Sequence, residues 1–267
     1  MTRTLSAFTT MNREIFDRCG KQMIDSFIEN VQDFDLTVYV EGFVLPATYC
    51  DKYCDKVKQI PLSETHFPAF REMCKPYPER FGIIDDVTRI GRPASWTTQI
   101  ENGQPYHFRL DAVKFSRKVF CLYHFCHETT ADVALLMDAD TQVVKPVHAS
   151  DLLQMIPPDS TIALLKRDHE YSEAGFYMVN LQHKGIQFVD HFAGLYLTGD
   201  VFNLQEWHDS YVLDRAIEQT GDVSVSLSGV GSATNHPLAN GPLGEWFYHE
   251  KGKFRKAKYR KAVIDDK

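Results

Sequence analysis

Val133-Ala134-Leu135-Leu136-Met137-Asp138-Ala139-Asp140-Thr141 is the stretch on which the reading of this chain turns. Five apolar residues bounded by Asp132 and Asp138 have the length and uniformity of a strand buried on both faces. Two carboxylates then follow with one residue between them. In open α/β sheets, ligands bind beyond the carboxyl ends of the strands. Hard oxygen ligands at such a place suit Mg²⁺ or Mn²⁺, ions that also take phosphate oxygens. One carboxylate can ligate directly while the other binds through water or a ribose, and the ion neutralises charge on a leaving diphosphate. The plainer reading is a capped turn or a solvated acidic pair, since Asp-x-Asp alone is common. Its position behind a buried strand favours chemistry.

Working outward, strands and helices alternate. Leu5–Thr9, Leu36–Val40, Val57–Ile60, Ile162–Leu165, Phe176–Asn180, Val223–Leu227 and Trp246–His249 read as strands. Residues 13–30 carry Ile15, Phe16, Cys19, Met23, Phe27 and Ile28 near helical spacing. Residues 109–127, His183–Leu197 and Ser210–Gln219 also read as helices. Pro and Gly scattered through 76–105 indicate a long connection with little regular structure. Such alternation predicts an α/β fold: a mostly parallel twisted sheet with helices on both faces. With 267 residues and no boundary signal, 1–267 is expected to be a single domain carrying a basic segment at about 250–267.

Two later segments add candidates. His249 follows Trp246-Phe247-Tyr248 and precedes Gly252 and the run Lys251–Lys261, which holds seven basic residues and no acidic one. A neutral histidine at a strand end is a plausible third metal ligand. Gly252 lets backbone approach a phosphate, and Lys251, Lys253 or Arg255 neutralises it. The bland alternatives are a surface histidine and a solvated helix end. Glu206-Trp207-His208-Asp209-Ser210 precedes a helical pattern, so Asp209 is either a first-turn cap or a carboxylate for acceptor binding or general-base catalysis.

These segments, in this order, resemble the nucleotide-sugar glycosyltransferases of the GT-A fold, of the glycogenin and bacterial galactosyltransferase type. The motifs are LLMDADTQV, then Glu173-Ala174-Gly175 leading to Val179-Asn180-Leu181, then Asp209-Ser210, then His249-x-x-Gly252-x-x-Arg255. The resemblance covers roughly residues 1–256. It implies a Mn²⁺ or Mg²⁺ ion held by Asp138, Asp140 and His249, with Gly252, Lys253 and Arg255 at the diphosphate. It further implies that Arg109, Asp111, Lys114 and Lys118 lie near the nucleotide or donor sugar, and that Phe8, Thr10 and Asn12 line the base pocket. The expected partners are a nucleotide-diphosphate sugar, a UDP-sugar favoured, and a carbohydrate-type acceptor hydroxyl. The type's asparagine and glutamine are here Glu173 and Ser210, which leaves open an inverting enzyme with Asp209 as base.

Composition narrows the field. A net charge of −7 argues against a nucleic-acid binder, although the basic C-terminal run suits peripheral contact with a membrane. No run of eighteen apolar residues occurs. The N-terminus lacks an apolar stretch followed by a cleavage site, so a cytoplasmic protein with reduced thiols at Cys19, Cys50, Cys54, Cys74, Cys121 and Cys126 is expected. Two other classes compete. A phosphatase of the haloacid dehalogenase type also places Asp-x-Asp after an apolar strand, though Gln142 and the upstream Asp85-Asp86 pair do not suit it. A non-catalytic nucleotide-sugar-binding protein of the same fold is the other.

Overall fold

Among the described residues, the strand at 133–137 is the middle one of seven in the main sheet. A computed structural model describes residues 3–229 and 236–249. In chain order, β1 (Leu5–Asn12) passes through a helical turn, α1 (Arg13–Ile15), and a π-helical turn (Phe16–Gly20) into α2 (Lys21–Asn30). Then come β2 (Leu36–Glu41), α3 (Ala47–Lys52), β3 (Val57–Pro61) and α4 (Phe67–Cys74). A small hairpin, β4 (Gln99–Glu101) and β5 (Gln104–Tyr106), leads to α5 (Ala112–Glu128), β6 (Val133–Met137) and β7 (Thr141–Val143). The chain continues with α6 (Ala149–Leu153), β8 (Ile162–Leu165), β9 (Glu173–Asn180), α7 (Gly185–Leu197) and α8 (Asp209–Thr220). It closes with β10 (Ser224–Ser226) and β11 (Phe247–His249).

The main sheet runs β10-β8-β9-β6-β1-β2-β3. All its pairings are parallel except those of β9, which runs against both β6 and β8. Side chains alternate across it with period two, and both faces are buried. From β6, Ala134 and Leu136 enter one core while Val133, Leu135 and Met137 enter the other. From β9, Tyr177 and Val179 face the first and Phe176 and Met178 the second. The first core lies under α4, α5, α7 and α8, the second under α2 and α6. Each fully buried large apolar side chain contributes roughly 1.5–3 kcal/mol by leaving water.

Several expectations are refined here. The helix expected over 13–30 contains the π turn, where Gly20 sits against Met11; a Cβ there would stand 2.6 Å from the Met11 sulfur. The 76–105 connection holds 3₁₀ turns and a hairpin closed by Asn102 (φ 52°) and Gly103 (φ 77°), the paired left-handed residues of a type I′ turn. Trp246–His249 does not extend the main sheet. Its strand, β11, pairs antiparallel with β7 in a separate two-stranded ladder. Among the described residues, no helix is long and apolar enough to cross a membrane.

Candidate functional site

The acidic pair occupies a tight turn between β6 and β7. Asp138 N–H donates to the Gly175 carbonyl (2.8 Å), and Thr141 N–H donates to the Asp138 carbonyl (2.9 Å). Because β9 is reversed, its first residues arrive where β6 ends, and Gly175 lies directly against Asp138. A Cβ on Gly175 would stand 2.9 Å from Asp138 Oδ2 and 3.4 Å from its Cγ. This glycine is required by close approach, not by an unusual φ.

The β7–β11 ladder sets His249 opposite Thr141. That register brings His249 Nδ1 to 3.6 Å from Asp140 Oδ1 and 3.1 Å from Thr141 Oγ1. The His249 ring stacks on His236 at 4.2 Å, and His236 Nε2 lies 3.6 Å from Glu173 Oε2. Among the described residues, no three His, Cys, Asp or Glu side chains are gathered tightly enough to grip an ion as they stand. The carboxylates of Asp138 and Asp140 are hard oxygen donors of the kind that suit Mn²⁺ or Mg²⁺, and a neutral His249 could complete the set.

A protein cation already stands at Asp138. Lys118, from the first half of α5, places its Nζ 3.1 Å from Asp138 Oδ1, 2.5 Å from Asp209 Oδ2 and 3.3 Å from the Ala174 carbonyl. Burial opposes its charge, but Asp138 and Asp209 outweigh that and hold the ammonium well above its ordinary pKa. Asp138 is pushed up to about 6, first by burial and then by the neighbouring Asp140, Asp209 and Glu173, against the pull of Lys118.

A cleft of about 670 Å³ opens above these groups at the carboxyl ends of β1 and β6. It is lined by Thr10, Asn12, Asp111, Lys114, Lys118, Asp138 and Asp140, all singled out in the sequence. Asn12 accepts from Ile15 N–H (2.9 Å) and so caps α1; Asp111 accepts from Lys114 N–H (2.8 Å) and caps α5. Tyr106 O–H also donates to Asp111 (2.9 Å), whose carboxyl is pushed upward mainly by burial. Across the cleft, Arg117 grips Glu41 through two bonds of 2.7 and 3.0 Å.

Other sequence candidates stand elsewhere. Phe8 is fully buried and stacks on Phe125 (4.8 Å); it packs the α5 face of the sheet and does not reach the cleft, because alternation along β1 turns it under the helix. Arg109 also leaves the cleft. Its guanidinium pairs with Glu206 (2.9 Å), and its carbonyl accepts from Trp207 N–H. Asp209 is 5 % exposed and faces Lys118, not the open cleft. Gly252, Lys253 and Arg255 lie outside the described residues. The sequence reading did not pick out the Glu41–Arg117 clamp or Tyr106. Nor did it pick out Glu206 as a carboxylate held by Arg109, Tyr171 (3.0 Å) and His208 (2.8 Å).

A mostly parallel sheet with one reversed strand, and an acidic turn at the end of its central strand, define the GT-A glycosyltransferase fold. The galactosyltransferase LgtC, solved in complex with donor and acceptor sugar analogs, shares it with a TM-score of 0.50 at 10% identity. That likeness covers 93% of this chain and 87% of LgtC. Mouse xyloside xylosyltransferase 1 in its apo form gives 0.47 at 8% identity over 85% of each chain. The glycosyltransferase GlyE of Streptococcus pneumoniae TIGR4 gives 0.49 at 14% identity over 85% of this chain, which spans 45% of GlyE. At these identities the likeness is one of fold. No protein-family model and no curated protein match the sequence. The fold sets aside the haloacid dehalogenase reading.

Proposed function

We propose that the protein is a metal-dependent glycosyltransferase that moves a sugar from a nucleotide-diphosphate sugar to a hydroxyl of a carbohydrate-type acceptor. The observation that carries this is the acidic turn on the floor of a large cleft, with His249 brought beside Asp140 by the β7–β11 ladder. Asp138, Asp140 and His249 would hold a divalent ion, Mn²⁺ or Mg²⁺. When bound, that ion supplies charge neutralisation to the diphosphate leaving group. A UDP-sugar is the favoured donor, by resemblance to the galactosyltransferase type.

The chain's own residues do the rest. Thr10 and Asn12, at the carboxyl end of β1, line the side of the cleft where a nucleoside is received. Lys118 offsets the repulsion that a carboxylate pair exerts on an anionic donor, and Asp209 fixes its ammonium from behind. Asp209 is therefore assigned as a positioning residue: it is buried against the Lys118 ammonium and does not reach the cleft in which an acceptor hydroxyl would sit. The basic run with Gly252, Lys253 and Arg255 is assigned to the diphosphate on charge alone.

The test is a thermal-shift panel of nucleoside diphosphates with and without Mn²⁺, followed by NMR of the product anomer with the nucleotide sugar that binds. A ligand at about 100 times its Kd stabilises the fold by about 2.7 kcal/mol. A shift that needs both nucleotide and Mn²⁺, and is lost in Asp140→Asn, is expected. Turnover that persists after the metal is shown to be removed refutes metal dependence; binding without turnover identifies a non-catalytic nucleotide-sugar binder.

A further inference from the structure

Next to the cleft, and sharing Tyr106 with it, is a smaller groove of about 190 Å³. Its walls are rings and planar polar groups: Trp96, Gln99, Tyr106, His107, Phe108 and Arg109. Trp96 stacks on His107 at 5.3 Å with the planes 22° apart, and Phe108 continues the stack at 6.2 Å and 10°. Phe108 remains 44% exposed, a large apolar ring left in water beside polar neighbours.

Arg109 gives the groove its polar edge. Its guanidinium is fastened through one nitrogen to Glu206, whose side chain is 2% exposed, and lies 5.1 Å over the Trp96 ring. Burial pushes the Glu206 carboxyl up. Hydrogen bonds from His208 and Tyr171 and the charge of Arg109 outweigh that, so it stays ionised. Arg109 thus presents a fixed fork of N–H donors with its charge compensated from behind. Its other N–H groups make no hydrogen bond among the described residues. His107 is 6% exposed, and its Nδ1 has no hydrogen-bond partner among the described residues. Burial, and then Arg109, lower its pKa and keep it neutral.

Stacked rings beside an amide and guanidinium donors, with no net charge, match a ring that has apolar faces and a hydroxyl rim. We infer that this groove is a saccharide subsite that takes a neutral sugar unit of an extended acceptor, whose reacting end lies past Tyr106 in the cleft. The inference rests on the transferase reading for the word acceptor, but not for the binding itself. An anionic sugar gains little, because Glu206 already satisfies the charge of Arg109. A purely apolar ligand would leave the N–H groups of Arg109 and the Gln99 amide without partners.

The test uses the full chain without donor. A printed array of neutral and sulfated oligosaccharides selects a ligand, and isothermal titration calorimetry then measures its affinity. Binding to a neutral oligosaccharide is expected, weakened by about tenfold or more in Trp96→Ala. Phe108→Ala, whose ring is half exposed and cannot carry the fold, should weaken it too. Nucleoside diphosphate with Mn²⁺ should bind both variants as it binds the wild type. Loss of oligosaccharide binding on the array, equal affinity in both variants, or a preference for sulfated ligands overturns the subsite. If an oligosaccharide binds and no nucleotide does, the subsite stands and the transferase reading falls.

Discussion

Asp138→Asn should make the ligand-free protein more stable at neutral pH while removing its activity. The carboxyl titrates higher in the fold than in the unfolded chain, from 3.8 to about 6. Its contribution to stability is therefore complete below about pH 4 and is lost as the pH rises through about 6. A displacement of that size favours the protonated form by about 3 kcal/mol. The side chain keeps 27% of its surface and Lys118 loses one partner in the variant, so about 1–2 kcal/mol is the gain to expect. Asparagine imitates the protonated acid in shape and charge. For a chain of 267 residues that gain corresponds to a rise of roughly 2–4 °C in Tm. The assay is thermal denaturation of both proteins, without metal, from pH 4.5 to 8, alongside turnover of the nucleotide sugar. The gap in Tm should open with rising pH. A variant less stable than the wild type at pH 8 would show that the site does not disfavour the ionised carboxylate. Undiminished turnover would remove Asp138 from the machinery.

Three further outcomes follow from the same geometry. Gly175→Ala should cost about 1–3 kcal/mol by overpacking and reduce metal-dependent nucleotide binding, since the new methyl group pushes on Asp138; unchanged melting and binding would show that the turn yields freely. Lys118→Met should destabilise the protein by about 3 kcal/mol, because it leaves Asp138 and Asp209 facing each other without their shared cation. That loss should shrink in acid as Asp138 takes a proton, and equal melting temperatures at pH 7 would refute it. Phe8→Ala should cost about 3–5 kcal/mol as a core deletion, whereas the milder Phe8→Leu should keep wild-type affinity for nucleoside diphosphate; a weakened nucleotide would return Phe8 to the pocket.

Local pattern carries some of this structure and distance conceals the rest. β6 is readable because five apolar residues stop abruptly at a carboxylate. The same abruptness locates the acidic turn. α4 left a trace in Phe67, Phe70 and Cys74 on one face with Pro68 in the first turn, a sign easily lost among neighbouring prolines. The β4–β5 hairpin carried the Asn102-Gly103 signal, but its three-residue strands are too polar to show alternation and one contains Pro105. The position of His249 in front of Asp140 depends on pairing two short strands far apart in sequence, which no window of residues contains. Arg109 illustrates the opposite failure. Its place ahead of α5 suits a donor contact, yet a buried carboxylate 97 residues away claims it. The Lys118 bridge draws on three separate elements and is legible only once they are packed.

The reversed direction of β9 also bears on how this scaffold can be altered. Six strands of the main sheet deliver their last residues to the ligand edge, whereas β9 delivers its first. Its outgoing end is tight: a Cβ at Gly185 would stand 2.2 Å from the Asn180 carbonyl oxygen, so a side chain at that position clashes with backbone. Its incoming end is fed by residues 166–172, of which Asp168, His169 and Glu170 stand in solvent. Randomised or grafted loops confined to residues 168–170 would enter on the side of the acidic turn, ahead of Glu173, while leaving Tyr171 on Glu206, Ser172 on Asp214 and every ladder bond of β6 and β8 in place. Among the described residues, that segment is thus a permissive seam on the acidic-turn side of the sheet, open to a library of altered sequences.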